Sequence, residues 1–250
     1  MEKTTNWLRA KAATLVLGIS ILICSSLTAE VNVRDFGAKG DKKTDDTEAI
    51  QKAVKHALKQ TRGIKHRNWT LSSAPTLYFP SGIYRRSEPL QIGYLNHLEG
   101  EGDAVILQEK DDQDIIVSKA AKRLVVEHLT FSGGRNQIRL WNPNWGLSHI
   151  VIRDCRFNGS HGPAVHLLQG AQSTGLTISD CWFKGCHQAL VTHTDVTKMQ
   201  DCWLRASYEM ENKAVIEHWG RMMFLNNMIG VPIVNGKDQR WIDLHGHDNK

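Results

Sequence analysis

Short apolar runs broken by Asp, Asn, Gly or Ser dominate the second half of the chain, and no helix-length periodic segment separates them. Five such segments, VVEHLTF, VIRDCRF, TISDCWF, KMQDCWL and the weaker FLNNMI, end at Phe131, Phe157, Phe183, Leu204 and Ile229. Their ends are spaced by 26, 26, 21 and 25 residues. This period with short β-rich runs indicates a solenoid whose coils stack on their neighbours. Because the leucine-rich pattern LxxLxLxxN is absent, we predict an all-β, right-handed parallel β-helix.

The repeat also aligns cysteines and small polar residues. One aligned set consists of Cys155, Cys181, Cys202 and Asn227, and the set one residue earlier consists of Asp154, Asp180, Asp201 and Asn226. Like residues on stacked strands about 4.8 Å apart form ladders. We predict a buried packing ladder for the cysteines, with a disulfide between neighbouring rungs, or one involving Cys186, left open. The aspartates are interpreted as turn residues.

One helical pattern stands before the repeats, after a strand-like VNVRDF and a turn-rich GAKGDKKTDD. Its apolar stripe consists of Ile50, Ala53, Val54, Ala57 and Leu58. Asp45 precedes Glu48 by the three residues of a capping box, with Asp46 in the first turn. We therefore predict an N-terminal capping helix of about four turns. A calcium loop would need acidic ligands at alternate positions and a closing Glu, a pattern that these aspartates do not supply.

The first 29 residues have the order of a secretory signal. Lys3, Arg9 and Lys11 form a basic start, an apolar run extends from Ala12 to Cys24, and SSLTA follows. The run is short for a membrane span. We predict a signal peptide over 1–29, cleaved after Ala29, no transmembrane span after its removal, and a secreted or periplasmic protein. An uncleaved anchor and a lipoprotein cysteine at Cys24 are the alternatives.

Composition and charge narrow the partners only slightly. The chain has 250 residues, of which 41% are hydrophobic and 23% are charged, an ordinary composition for a globular protein. We predict one domain, over residues 30–250. Its formal net charge is +5, and removing residues 1–29 with three basic groups and one acidic group leaves +3. No dense basic run is present, so we predict no nucleic-acid partner. A mildly basic surface fits an anionic polymer.

The stretch VNVRDFGAKGDKKTDDTEAIQKAV, followed by TLYFPSGIYRRSEPLQIG and LEGEGDAVILQ, resembles the entrance of the pectate-lyase-like superfamily. This superfamily includes rhamnogalacturonase-, polygalacturonase- and epimerase-like proteins and many phage tailspikes. The matching segments extend from Val31 to Gln108 and are specific for fold, not for reaction. The resemblance implies a right-handed parallel β-helix, a polysaccharide partner and, where the reaction is elimination, a basic residue often assisted by calcium. The cofactor itself, including calcium, stays open.

A second register, with a step of 25 residues, aligns Ala164, Ala189 and Ala214. Four residues after each lie Leu168, His193 and His218, with Asp243 one step further. Titratable groups that converge on one face are suited to general acid–base catalysis on a sugar. The candidate catalytic residues are His193, His218, Glu217, Asp243 and His245, with stacked surface rungs as the alternative interpretation.

Three further residues are candidates for substrate binding. Trp182 and Trp203 each follow a ladder cysteine, so their rings are expected to stack, and exposed tryptophan faces suit sugar rings. His166 is the third candidate. All three could equally be ordinary surface or core residues.

The choice of reaction stays open at this level. The NTD, DD, GHG and RIK motifs of the polygalacturonase-type hydrolases are not found in register. We expect a polysaccharide-active protein that cleaves an acidic glycan by elimination or hydrolysis. The alternative is a non-catalytic glycan-binding, surface or fibre protein. The chain stops at WIDLHGHDNK without an evident capping segment, so we expect the C-terminal cap of the solenoid to be missing, and the oligomeric state is undetermined.

Overall fold

The structure is a computed structural model that describes residues 30–66, 69–142, 147–168, 174–206, 214–230, 233–234, 237–238 and 242–245. The predicted signal peptide, its cleavage site after Ala29 and the alternative lipid site at Cys24 lie outside the described residues. Within the described part of the chain, no helix combines the length and the apolar character needed to cross a membrane.

Strands dominate the described residues. In chain order they are β1 (Glu30–Asn32), β2 (Asp41–Asp45), β3 (Arg62–His66), β4 (Trp69–Ser73), β5 (Thr76–Phe79), β6 (Gly82–Arg86), β7 (Leu90–Gln91), β8 (His97–Gly100), β9 (Ala104–Gln108), β10 (Ile116–Ser118), β11 (Val125–Glu127), β12 (Thr130–Gly133), β13 (Ile138–Leu140), β14 (Ser148–Arg153), β15 (Arg156–Asn158), β16 (Pro163–Leu167), β17 (Thr174–Ser179), β18 (Trp182–Cys186), β19 (Gln188–Thr192), β20 (Val196–Gln200), β21 (Trp203–Ala206), β22 (Ile216–Trp219), β23 (Arg221–Leu225), β24 (Met228–Gly230), β25 (Ile233–Val234), β26 (Lys237–Asp238) and β27 (Ile242–His245). One α-helix, α1, spans Thr47–Lys59.

Three parallel sheets run along the molecule, and each coil supplies one strand to each sheet in turn. The first sheet has the order β1-β5-β8-β11-β14-β17-β20-β23, and the second has β2-β6-β9-β12-β15-β18-β21-β24. The third has β7-β10-β13-β16-β19-β22-β27. Two antiparallel pairs, β3-β4 and β25-β26, stand outside these sheets. This arrangement confirms the predicted all-β solenoid.

Aromatic side chains fill the interior as a stack along the second sheet. Phe131, Phe157 and Phe183 are in register and fully buried, with ring centroids 5.2 and 4.7 Å apart. Leu204 and Ile229 continue the column. Burying a side chain of this size contributes about 1.5–3 kcal/mol. The repeat seen in the sequence is therefore the repeat of this core.

A column of left-handed residues forms the corner between the first and second sheets. It consists of His128, Asp154, Asp180, Asp201 and Asn226, with φ of 56°, 49°, 55°, 54° and 50°. Asn and Asp are among the few non-glycine residues that adopt this conformation readily. The predicted turn role of the aspartates is therefore confirmed.

The predicted cysteine ladder is also present. Cys155, Cys181 and Cys202 lie in successive coils, in line with Asn227, and are buried with free thiols; Cys186 is likewise buried and free. The backbone N–H of Cys202 donates to Asn227 Oδ1 at 2.9 Å. Burial, together with Cys155 and Cys202, raises the pKa of the Cys181 thiol. A thiol with a raised pKa is a poor nucleophile, which supports a packing role for Cys181.

Helix α1 closes the N-terminal end of the core, as predicted. Its buried residues are Ile50, Ala53, Val54 and Ala57. The predicted capping box is wrong, because the residue at the helix N-cap is Asp46 and its side chain makes no capping bond. Asp46 instead accepts hydrogen bonds from the backbone N–H groups of Lys39 and Gly40 at 2.7 and 3.0 Å. Glu48 pairs with Lys52, one turn further along the helix.

The entrance differs from the sequence prediction in two details. The VNVRDF segment is only partly extended, because β1 ends at Asn32 and a 3-10 helix occupies Val33–Phe36. The expected turn-rich connection contains the exposed strand β2. Asp41 there accepts hydrogen bonds from the backbone N–H groups of Lys43 and Thr44, so it organises a local turn.

Candidate functional site

The outer surface of the third sheet, called here the third-sheet face, carries a concentration of ionisable and aromatic side chains. Its central column consists of Gln91, Val117, Arg139, His166, Val191, Glu217 and Asp243. Arg139 and His166 occupy neighbouring rungs of β13 and β16. Because stacked strands lie about 4.8 Å apart, a guanidinium and an imidazole are fixed side by side.

A buried carboxylate anchors the basic part of this face. Asp114, whose side chain is 4% exposed, accepts two hydrogen bonds from Arg135 at 3.0 and 3.1 Å and one from Arg139 at 3.2 Å. Asn136 donates to the same carboxylate at 2.7 Å. Burial works to raise the pKa of Asp114, but the hydrogen bonds from Arg135, Asn136 and Arg139 outweigh it and lower the pKa. Asp114 is therefore held ionised and fixes two guanidinium groups.

His166 is held in its neutral form by this environment. Burial, together with the positive charge of Arg139 and the neighbouring His193, lowers its pKa to about 4. The carboxylate of Asp114 acts in the opposite direction. An imidazole with this pKa is unprotonated at neutral pH and can accept a proton.

Aromatic rings border the same face. The Lys119 ammonium lies 5.3 Å and the Arg139 guanidinium 5.1 Å from the ring centroid of Trp141. The His193 ring stacks on Trp219 with centroids 4.0 Å apart and an interplanar angle of 7°. Cations beside flat apolar rings suit an anionic sugar, because the rings contact its CH faces and the cations contact its carboxylate.

Comparison with known proteins shows a resemblance over the N-terminal part of the chain and a shared fold. Residues 30–112 match the family model of rhamnogalacturonase A/epimerase, pectate lyase-like proteins. The fold superposes on the A-module of an Azotobacter vinelandii mannuronan C-5 epimerase with a TM-score of 0.58, at 21% identity, over 84% of this chain and 63% of that one.

Residues 30–112 therefore resemble pectate-lyase-like proteins, and the described coils share the parallel β-helix fold of the epimerase module.

Curated relatives match parts of this chain. Alginate lyase 7 of Azotobacter vinelandii is 52% identical over 58 residues, 23% of this chain and 5% of that protein. Glucan 1,3-beta-glucosidase of Cochliobolus carbonum is 28% identical over 146 residues, 57% of this chain and 16% of that protein. The chain thus spans a small fraction of the length of these relatives.

The predicted column of His193, His218 and Asp243 is wrong in its register. The step from β19 to β22 is 26 residues, because Thr192 pairs with His218 and Val191 with Glu217. Ala164 and Ala189 align as predicted, but Ala214 lies opposite Gln188 rather than Ala189. Successive strand residues point to opposite faces, so this single residue moves His218 into the solenoid interior, where it is 0% exposed.

By backbone register, the other candidate catalytic residues lie in two neighbouring columns of the third-sheet face. Glu217 lies in the central column, next to Asp243, and accepts a hydrogen bond from Gln188 Nε2 at 2.9 Å. His193 stacks on Trp219, and the backbone of Trp219 pairs with that of His245. The catalytic roles of all five candidates stay predictions.

The candidate substrate-binding residues divide between two surfaces. His166 lies on the third-sheet face, whereas Trp182 and Trp203 pair on the outer surface of the second sheet. Their rings are neighbours, with centroids 4.7 Å apart, but they are tilted by 38° rather than stacked in parallel, and Trp182 is 53% exposed. The two tryptophans and His166 therefore do not form one site.

Sequence reasoning missed the basic part of the third-sheet face. Asp114, Arg135 and Arg139 are not marked by any motif, and they come together only because β13 stacks on β10. The available signal was the column itself: an alignment of β13 with β16 would have placed Arg139 beside His166.

Proposed function

We propose that the chain acts on an acidic polysaccharide at the third-sheet face, by removing the proton next to a uronate carboxylate. The placement of Arg139 beside a neutral His166 supports this proposal most directly. The names of the matching proteins, which include an alginate lyase and a mannuronan epimerase, support the same substrate class.

The proposed reaction is elimination from a 4-linked uronate. The Arg139 guanidinium, held by Asp114, pairs with the sugar carboxylate, which makes the C5 proton more acidic. His166 accepts that proton, a C4–C5 double bond forms, the C4–O4 bond breaks, and the departing oxygen takes up a proton. His193 and Glu217, in neighbouring rungs and columns, are the proposed sources of this second proton.

Asp114 is unsuited to serve as the acid of a hydrolytic mechanism. Hydrolysis of a glycosidic bond uses two carboxyl groups, one of which must be protonated to act as an acid. Asp114 is held ionised by two arginines, and its pKa is lowered. Asp114 therefore cannot donate the proton that hydrolysis requires.

The test measures the ultraviolet absorbance of unsaturated uronide products. The protein is incubated with alginate, polygalacturonate and rhamnogalacturonan, with and without calcium, beside a reducing-sugar assay. We expect rising absorbance with wild type and its loss in His166→Ala and Arg139→Gln. His56→Ala, on the exposed side of α1 and remote from the site, is the matched control and should keep the activity. New reducing ends without a rise in absorbance would indicate hydrolysis and contradict the proposed elimination.

A second candidate function is glycan binding without catalysis, and the surface beside Trp182 and Trp203 favours it. The outward side chains of β15, β18 and β21 in this region include the cations Arg156, Lys184 and Arg205. Folded protein that is retained by a polyuronate gel but yields neither absorbance nor reducing ends would select this function. Trp182→Ala should then abolish retention.

The proposed substrate is also relevant to where the protein acts in relation to the cell. Polymeric uronates are extracellular, and the sequence of residues 1–29 has the order of a secretory signal. We therefore propose that the protein works outside the cytoplasm. Identification of the first residue of the exported protein by mass spectrometry tests this, with Glu30 expected.

A further inference from the structure

The outer surface of the first sheet carries a separate cluster of histidine and carboxylate side chains. His97 and Glu99 both point outward from β8, and Glu127 lies beside Glu99 on β11. One ligand atom from each of the three residues lies within 4.8 Å of the other two. The backbone positions are fixed by parallel strand pairing rather than by a loop, so the three groups converge on a rigid surface.

Two neighbouring side chains orient this cluster from outside it. The Thr76 hydroxyl contacts His97 Nδ1 at 2.9 Å, and Arg153 Nε donates to Glu127 Oε2. Each contact occupies the atom that faces away from the cluster. His97 Nε2 and Glu127 Oε1 hydrogen bond to each other at 2.6 Å, so a metal ion would take the place of the proton between them. Metal-binding histidines and carboxylates are typically oriented in this way by partners on their other atoms.

The local charge is matched to a divalent cation. His128 lies 4.0 Å from Glu99 Oε1 and 3.6 Å from Asp154 Oδ2, so Asp154 belongs to the same network. Three carboxylates and the Arg153 guanidinium sum to a charge of −2 before the histidines are counted. A divalent ion would neutralise this charge.

We propose that His97, Glu99 and Glu127 bind one divalent transition-metal ion of the zinc class. One imidazole nitrogen and two carboxylate oxygens suit zinc, whereas calcium takes six to eight oxygen ligands. The Glu127 side chain is 5% exposed, whereas those of His97 and Glu99 are 30% and 35% exposed, so solvent reaches the cluster from their side. Arg153 opposes the ion electrostatically, but it holds Oε2 and leaves Oε1 for the metal.

The consequence is a clamp between coils, independent of the proposed activity. The ligands come from β8 and β11, and the orienting groups come from β5 and β14, so four consecutive coils meet at the site. An ion that binds only the folded state stabilises it in proportion to the logarithm of its concentration over Kd.

The test is zinc binding by the purified protein after removal of metals with EDTA and dialysis. Isothermal titration with ZnCl₂ and the thermal unfolding midpoint are measured for wild type, Glu99→Gln and His97→Gln. We expect one zinc per chain, a rise in the unfolding midpoint, and a loss of affinity of about tenfold or more in each variant. Glu99→Gln removes a half-exposed carboxylate, so this variant is expected to fold.

His161→Gln is the matched control, because His161 lies 3.1 Å from Asp111 and close to His187 at a different corner. Its zinc affinity should equal that of wild type. Absence of zinc binding by wild type overturns the proposal. So does loss of binding in His161→Gln with retention in Glu99→Gln, or a preference for calcium over zinc at these residues.

Discussion

At the residue scale, His166 shows how the solenoid sets the chemistry of a single side chain. Its imidazole is part-buried beside Arg139 and close to His193, and these surroundings together lower its pKa to about 4. The pKa of an exposed histidine is about 6.5. The neutral form of His166 therefore predominates above about pH 4, which suits a base that acts in mildly acidic solution.

If His166 is the base, the pH dependence of kcat/KM should report its pKa. Activity should rise with pH through about 4 and level off above it, since the unprotonated imidazole is the active form. In a variant that keeps measurable activity, Arg139→Lys, the position of the rise should remain low because a positive charge is retained. In Arg139→Gln any residual activity should rise at a higher pH, because one cause of the lowered pKa is gone.

Initial rates on the responsive polymer across the pH range measure this effect. Arg62→Gln, an exposed change on the β3–β4 hairpin, is the control and should leave the profile unchanged. A wild-type profile rising near pH 6.5 would contradict the assignment of His166 as the base.

At the element scale, the corner between the first and second sheets depends on backbone conformation. Five successive coils turn there through a residue with positive φ, and Asp or Asn occupies four of these positions. Crowding around Cβ makes the left-handed conformation costly for most residues, and this cost is highest for β-branched residues. The corner thus explains the Asp column without any catalytic role.

Replacing Asp180 by Val should lower the free energy of unfolding by about 1–2 kcal/mol, because valine at φ 55° is strained. Asp180→Gly should cost much less, since glycine adopts this conformation without a Cβ clash. Urea unfolding of both variants provides the measurement. Ser179→Val, at the extended end of β17, is the matched control and should be close to neutral. Equal losses for Val at 179 and 180 would show that the left-handed corner is not the cause.

At the scale of the whole molecule, three outer faces carry different chemistry. The third sheet presents Arg139 and His166, the second presents Trp182, and the first presents His97 with Glu127. The described coils are held by ladders of core side chains and strand hydrogen bonds, and the four described cysteines are free. Changes on one face are therefore expected to leave the other two intact.

Because the ladder thiols are unpaired, stability should not depend on reducing agent. We expect the same thermal unfolding midpoint with and without dithiothreitol, and slow reaction of the native thiols with a thiol reagent because they are buried. All of them should react promptly after denaturation. A midpoint that falls in dithiothreitol would instead indicate a disulfide between rungs.

The sequence by itself determined the solenoid, its interior and its corner. Phe131, Phe157 and Phe183 repeat at a fixed step, and stacked coils place equal positions above one another. The same argument predicted the buried cysteines and the turn aspartates. These features were predictable because each rung repeats the local pattern of the one before it.

Only the tertiary structure decided which side chains share the third-sheet face. The coil length there varies, with Ile138 paired to Val165, Val165 to Leu190 and Leu190 to Ile216, so a constant step of 25 fails at β22. Since strand residues alternate between faces, an error of one residue exchanges His218 for Glu217. The lengths of the turns between strands, which no local pattern fixes, therefore decide which residues can meet a substrate.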